Sequence, residues 1–352
     1  MNHSIRPSRR GIMRAGGMAL IAAPYVWSNR ARAQDRTLFV NTWGGSWTTA
    51  EESAYFKPFT AETGIKVRTV APVSFAKLKA QVLSRTYEWD VSSANIVEFS
   101  QAVREGLVEP IDKSIVDPAR FPPGNITDFG AAGMTLATCL VYRTDKFPNG
   151  GPQSWADFWD VKTFPGARCL FNRSFTSLAF ALLADGVPAD KLYPMDIERA
   201  FKKLDQIKPH IKVWWTQGNQ SQQLIADGEV DMIGMWNARA QELIDRGAPL
   251  KIVWNGAENY GGYWYAPKGT PRAKLAFQFL ELVSHPKPQA DFVNILPYGP
   301  SHPKAFEFIS KETAAKLPTS PEHLRVSHFP DANWLAPRLP EIRERFSQWL
   351  AS

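Results

Sequence analysis

Cysteine is almost missing from this 352-residue chain, which has only Cys139 and Cys169. Two thiols are too few for a four-thiolate metal site. In an oxidising compartment they can pair, or they can stay as separate buried thiols, and the sequence leaves both open. The six histidines (His3, His210, His285, His302, His323 and His328) make no HExxH and no zinc-spaced set with the cysteines. No G-x-S-x-G elbow occurs, so the common hydrolase signatures are missing. A Ser/His/Asp triad built from distant residues stays open, because geometry rather than order defines it. No Tyr-Tyr pair offers the clustered oxygen ligands that ferric-ion capture uses. Beyond the N-terminal stretch, no apolar run approaches the ~20 residues of a membrane helix. Neither a metal nor a cofactor is expected, and catalysis is the minor reading beside ligand binding.

Charge of one sign is scarcer than it looks. The balance is +7, with 41 Lys and Arg against 34 Asp and Glu. Six of those arginines (Arg6, Arg9, Arg10, Arg14, Arg30 and Arg32) fall in residues 1–33, which contain no acid, leaving 35 against 34 in the remainder. The same segment runs from basic residues through an apolar stretch, Gly16 to Trp27, to the small-x-small triplet Ala31-Arg32-Ala33. That order predicts a secretory signal over 1–33. The pair Arg9-Arg10 resembles a twin-arginine signal. A near-neutral mature chain gives no reason to expect a nucleic-acid or membrane-surface partner.

The remaining ~320 residues exceed what one hydrophobic core usually serves, so two domains are expected. Strand-like and helix-like segments alternate. Thr37–Val40, Ile65–Val70, Trp89–Val91, Met134–Arg143, 167–172, Val213–Trp215, Val230–Met235, Lys251–Trp254 and Tyr263–Ala266 read as strands. Between them, helical spacing covers Trp47–Thr63, Phe75–Tyr87, Ile96–Glu105, a segment capped by Ser154, one from Ser177, and Asp196–Ile207. Further helices are expected at Ser221–Ala226, from Trp236, over Lys274–Ser284 and over Glu341–Leu350. The alternation predicts an α/β fold built from parallel βαβ units.

Several stretches resemble, in order and spacing, the extracellular solute-binding proteins of the polyamine (spermidine/putrescine-like) type. They are Trp43-Gly44-Gly45-Ser46, Ala54 to Phe59, Thr63 to Val67, Ser154 to Asp160, Asp227 to Met232 with Trp236-Asn237, and Tyr265 to Gly269. Together they span most of residues 36–300. The resemblance implies a two-lobed type II periplasmic-binding fold with two hinge crossings. One lobe would hold 35–137 and 266–352, the other 138–265. It further implies a monomer that captures a small-molecule solute and delivers it to an ABC permease in the inner membrane.

Ligands of open α/β sheets sit beyond the carboxyl ends of strands, which selects a few turns. In Trp43-Gly44-Gly45-Ser46-Trp47 the glycines permit close backbone approach and the rings offer cation–π faces; a tight turn over a core tryptophan is the plainer reading. Ser93 and Asn95 suit hydrogen bonding or helix capping. Arg173, with Ser174 and Phe175, can pair with a carboxylate or serve as a solvated loop. Trp236, Asn237 and Arg239 follow a buried-looking strand, where Arg239 can meet a ligand or an acidic neighbour. Tyr260, Tyr263 and, more weakly, Tyr298 can wall a cleft or fill a core.

One expected residue is missing. Polyamine binders of this type place a carboxylate just before the return strand. Here that position falls near Gly262, and no Asp or Glu occurs from Asn259 to Pro267. A closed cleft without it leaves an ammonium unpaired, which is costly. Glu51, Glu98, Asp231 and Glu258 are the acids that could compensate from nearby in the fold. With two arginines in the selected turns, an amine or amino-acid-like solute becomes the expected ligand. Spermidine or putrescine itself and a sugar are the alternatives.

Overall fold

The computed structural model describes residues 36–352; the signal expected over 1–33 lies outside the described residues. The strands are β1 (Thr37–Asn41), β2 (Lys66–Val70), β3 (Ser92–Asn95), β4 (Ala131–Arg143), β5 (Arg168–Phe171), β6 (Ile211–Trp215), β7 (Met232–Trp236) and β8 (Leu250–Tyr265). The first helical stretch comprises α1 (Ser46–Glu51), a π-helical turn (Glu52–Phe56) and α2 (Lys57–Thr63). Then come α3 (Phe75–Ser84), α4 (Ile96–Arg104), α5 (Trp155–Trp159), α6 (Ser174–Ala184), α7 (Ile197–Ile207), α8 (Gly218–Ala226) and α9 (Asn237–Asp245). The chain ends with α10 (Ala273–Val283), α11 (Pro286–Val293), α12 (Lys311–Ala315), α13 (Pro321–Val326), α14 (Ala332–Leu335) and α15 (Leu339–Ala351). None of the described helices is long and apolar enough to cross a membrane.

Local chemistry explains many of the boundaries. Gly64 ends α2 in the left-handed conformation, φ 70°, which costs a glycine nothing. Ser154 caps α5 by accepting from Asp157 N–H, and Asp196 caps α7 by accepting from Arg199 N–H. Helix α6 begins three residues before the expected Ser177, whose hydroxyl instead donates to the Phe171 carbonyl at 3.0 Å.

A parallel sheet was expected, but the sheet is mixed. Strands β3, β8, β4, β7, β5 and β6 lie side by side in that order. Only β5 runs parallel to its two neighbours, β7 and β6, while the β3–β8, β4–β8 and β4–β7 pairs are antiparallel. Strand β1 pairs in parallel with β2 and joins the array through a Val40–Val91 bridge. The strand expected at Trp89–Val91 lies one step later, at Ser92–Asn95. Those small side chains are buried where they pair with residues 262–265 of β8.

The two strands expected at Lys251–Trp254 and Tyr263–Ala266 form one 16-residue strand, β8. It pairs with β4 from Ala131↔Trp264 to Arg143↔Leu250 and shifts register between Thr138 and Leu140. Gly256, at φ +74°, absorbs that irregularity on β8. A Cβ there would meet the Trp155 ring at 2.8 Å, so the position needs glycine on both counts.

Apolar clusters lie on both sides of the β4–β8 pair. Tyr55, Phe59, Phe279 and Phe292 belong to one; Phe158, Phe175, Phe180 and Phe201 to another. Helix α15 buries Leu339, Ile342 and Phe346 in the second cluster. Its polar face reaches both ways. Arg343 binds Glu98 and Gln101 of α4, while Arg345 grips Glu198 of α7 with both guanidinium nitrogens. Cys139 on β4 and Cys169 on β5 are free and buried.

Asn237 staples this framework: Oδ1 accepts from Ala137 N–H at 3.1 Å and Nδ2 donates to the Pro297 carbonyl at 2.9 Å. Asn237→Ala orphans two buried backbone groups, each worth about 1–3 kcal/mol. We expect a stability loss of about 2–4 kcal/mol in urea denaturation, and a loss below about 1 kcal/mol would show that the staple is dispensable.

Candidate ligand-binding cleft

A narrow, largely enclosed cavity of about 30 Å³ lies against the β4–β8 pair, with room as it stands for little more than a water molecule. The β1–α1 loop and first helical stretch bring Trp43, Trp47 and Tyr55 to it. Strand β3 brings Ser93, Ala94 and Asn95; β4 brings Gly133, Met134 and Leu136; β8 brings Tyr260, Gly262, Tyr263 and Trp264. Arg173 and Trp236, at the carboxyl ends of β5 and β7, close the remaining side. Trp43 meets Trp236 edge to face at 5.8 Å, and its indole N–H donates to Ser93 Oγ at 3.1 Å.

Arg173 is the one charged side chain lining this cavity among the described residues. It is 9% exposed and its Nη1 has no hydrogen-bond partner among the described residues. Aromatic faces surround the guanidinium: the Phe171 ring lies 4.3 Å and the Tyr260 ring 5.1 Å from Cζ. Those contacts are favourable but do not satisfy an N–H donor. A second, more open groove of about 280 Å³ shares Trp43 and Arg173 with the cavity. Ser174, at the start of α6, lines it with a buried hydroxyl that has no partner among the described residues.

Of the residues selected from the sequence, Trp43, Trp47, Ser93, Asn95, Arg173, Trp236, Tyr260 and Tyr263 converge on the cavity. Asn95 spends its side chain capping α4, accepting from Val97 and Glu98 N–H. The others lie elsewhere. Phe175 is in the core and Asn237 forms the staple. Tyr298 packs fully buried behind Trp47, ring to ring at 5.2 Å.

Arg239 draws Gly44, Gly45 and Ser46 into a different role. Its Nη2 donates to the Gly44 carbonyl at 3.0 Å, and its Nη1 to Gln222 Oε1 at 2.9 Å and Ser46 Oγ at 3.4 Å. The residue is fully buried, and desolvation lowers its pKa. Backbone space is cleared for it: a Cβ on Gly218 would come within 2.3 Å of its Nε. Arg239 thus clasps the first loop to α9.

Sequence reasoning missed Tyr55, Gly133, Met134 and Leu136. Tyr55 falls on helical spacing and reads as core. The π-helical turn makes three consecutive residues, Ala54, Tyr55 and Phe56, inward-facing, so periodicity gives no signal for its second face. Met134 and Leu136 belong to an apolar strand with no mark separating cavity from core.

A family model described as "Bacterial extracellular solute-binding protein" matches residues 54–319. The chain belongs to this family. It is 38% identical over 344 residues to the gamma-aminobutyric acid-binding protein of Pseudomonas aeruginosa, covering 95% of each chain. It is 25% identical over 324 residues to the spermidine/putrescine-binding periplasmic protein of Escherichia coli K12, covering 87% of each. Among solved structures, AgtB of A. tumefaciens R10 in complex with agropinic acid superposes with a TM-score of 0.85 at 32% identity, covering 90% of this chain and 99% of that one. The expected two-lobed α/β fold is borne out.

The four acids named from the sequence are held elsewhere in the protein. Glu98 is held by Arg343, and Asp231 accepts from Ala167 N–H. Glu51 and Glu258 are fully buried. Burial drives the Glu51 carboxyl up to about 8 despite hydrogen bonds from Thr42 and Trp47. Burial likewise drives Glu258 up to about 7 despite Thr176 Oγ1, at 2.5 Å, and the field of Arg173. None of the four acids lines the cavity.

A raised carboxyl has a definite sign. Between 4.5 and about 8, folded Glu51 holds a proton that the unfolded chain has lost, so its contribution to stability falls as pH rises through that window. Glu51→Gln keeps an acceptor for Trp47 and a donor for Thr42 without the charge. We expect the melting temperature of the variant to gain on the parent progressively from pH 5 to about 8 and to stay above it beyond. A pH-independent difference in scanning calorimetry would remove Glu51 from the titration.

Proposed function

We propose that this chain is the periplasmic substrate-binding component of an ABC importer, capturing a small amino-acid-like solute. The observation that carries the reading is Arg173, a buried guanidinium with an unpartnered Nη1 in a cavity lined by no acid. Arg173 is the donor for a ligand carboxylate, and Ser174 supplements it from the start of α6. The opposite, amine-bearing end meets ring faces from Trp43, Trp47, Tyr55, Trp236, Tyr260 and Tyr263, each worth about 0.5–2 kcal/mol. Ser93 and Asn95 complete the polar rim. A relative named for gamma-aminobutyric acid and a structural neighbour solved with agropinic acid support the class.

The lobes of this reading are 35–137 with 266–352, and 138–265, with α15 laid from the first onto the second. Segment 1–33 is the export signal, of twin-arginine type, and the mature monomer delivers its cargo to an inner-membrane permease. It acts without cofactor and turns nothing over. Polyamine capture is the second reading, favoured by the 25% identical spermidine/putrescine-binding relative. Against it stands the cavity wall at Gly262, which offers no carboxylate.

A thermal-shift and calorimetric panel separates the two. Gamma-aminobutyric acid and other short amino acids are expected to stabilise the mature protein, with putrescine, spermidine and glucose giving no shift. Arg173→Ala is expected to weaken acid binding by roughly 30-fold or more, the cost of unpairing a buried charge. Stabilisation by spermidine alone, or an Arg173→Ala variant with unchanged affinity, overturns the reading.

A further inference from the structure

Glu258 does not line the cavity but lies within the field of Arg173. Its Oε2 accepts from Thr176 Oγ1 in the first turn of α6, three residues after Arg173. Its register partner on β4 is Thr138, whose hydroxyl lies 3.4 Å from the Tyr260 hydroxyl. The Tyr260 ring in turn lies 5.1 Å from the Arg173 guanidinium carbon. The carboxylate and the arginine therefore bracket one small polar cluster. They form no direct ion pair among the described residues, and Glu258 Oε1 has no partner there.

The groups facing Glu258 leave Arg173 as its one source of positive field. His328, bridged beside it, has both ring nitrogens buried and unpartnered, and burial lowers its pKa to about 3, so it is neutral. Tyr193 and Tyr260 are pushed up by burial and stay neutral phenols. Thr176 and Thr138 carry no charge.

We propose that Glu258 is the concealed counter-charge of the ligand-binding arginine, so that capture of a carboxylate is coupled to uptake of one solvent proton on Glu258. Two anions then compete for one guanidinium in a low-dielectric site, and the buried one yields by protonating. The proposal rests on the reading that Arg173 receives the ligand carboxylate. Its sign follows from linkage. The protonated form of Glu258 leaves Arg173 free for the ligand, so affinity is full below about 7, where the carboxyl titrates, and declines as pH rises above it.

The probe is gamma-aminobutyric acid, titrated calorimetrically into the full mature protein from pH 5.5 to 8.5 in pairs of buffers with different ionisation enthalpies. We expect net uptake of up to about one proton per ligand near pH 7.5, with Kd rising by up to about tenfold per pH unit above 7. Glu258→Gln should abolish the uptake and flatten the profile, while Glu51→Gln should leave both in place. The wild-type proton count stands even if Glu258→Gln fails to fold. Binding through Arg173 with no proton uptake, or uptake abolished by Glu51→Gln and kept by Glu258→Gln, overturns this proposal and spares the carboxylate reading. Failure of gamma-aminobutyric acid and every other short amino acid to bind overturns both.

Discussion

The antiparallel pairing of β4 with β8 is the interaction on which the rest depends. Two long strands pass together through the whole mixed sheet, with β3 on one flank and β7, β5 and β6 on the other. Their cavity-facing residues, Met134 and Leu136 on one strand and Tyr260 to Trp264 on the other, form the floor of the cleft. Where their register slips, at Thr138 and Gly256, the ladder is interrupted and the carboxylate of Glu258 is turned inward. The floor of the site and the centre of the sheet are therefore the same piece of chain.

Around that floor, the walls divide the work between ring faces and a single cation. Aromatic side chains supply area at little entropic cost, since each loses only two torsions. In the proposed reading, Arg173 supplies direction. An arginine already desolvated by Phe171 and Tyr260 has met most of its burial penalty before any ligand arrives. The other deep arginine, Arg239, gives both terminal nitrogens to carbonyl, amide and hydroxyl groups of the protein, and only its Nε lacks a partner among the described residues. Two residues of identical type thus differ in setting: the unpartnered Nη1 of Arg173 belongs to a side chain that lines the cavity, whereas Arg239 lies outside it.

How much of this was legible in the sequence follows from what each residue's neighbours are. Helix caps at Ser154 and Asp196 and the stop at Gly64 depend on local chain chemistry, and all three are readable. The convergence of Trp43, Arg173, Trp236 and Tyr260 followed from one rule, that ligands gather at the carboxyl ends of strands. The absence of an acid near Gly262 was equally plain, and it redirected the ligand class. Strand continuity was not legible: β8 looks like two strands because its irregular middle lacks alternation. Neither were the roles of Arg239 and Asn237, because all their partners but Gln222 lie 60 to 195 residues away in the chain. Tyr55 was hidden by a π-helical turn that breaks the period on which the reading relied.

Helix α15 has a consequence for how the molecule is made. The apolar faces of α6 and α7 are covered by Leu339, Ile342 and Phe346, which leave the ribosome long after those helices do. Until then the face stays open to water or to other chains. Completion of the second core therefore waits until α15 has been made, and until then the nascent chain carries an open apolar face. Trimming or tagging that helix would act on yield and solubility before it acted on the ligand.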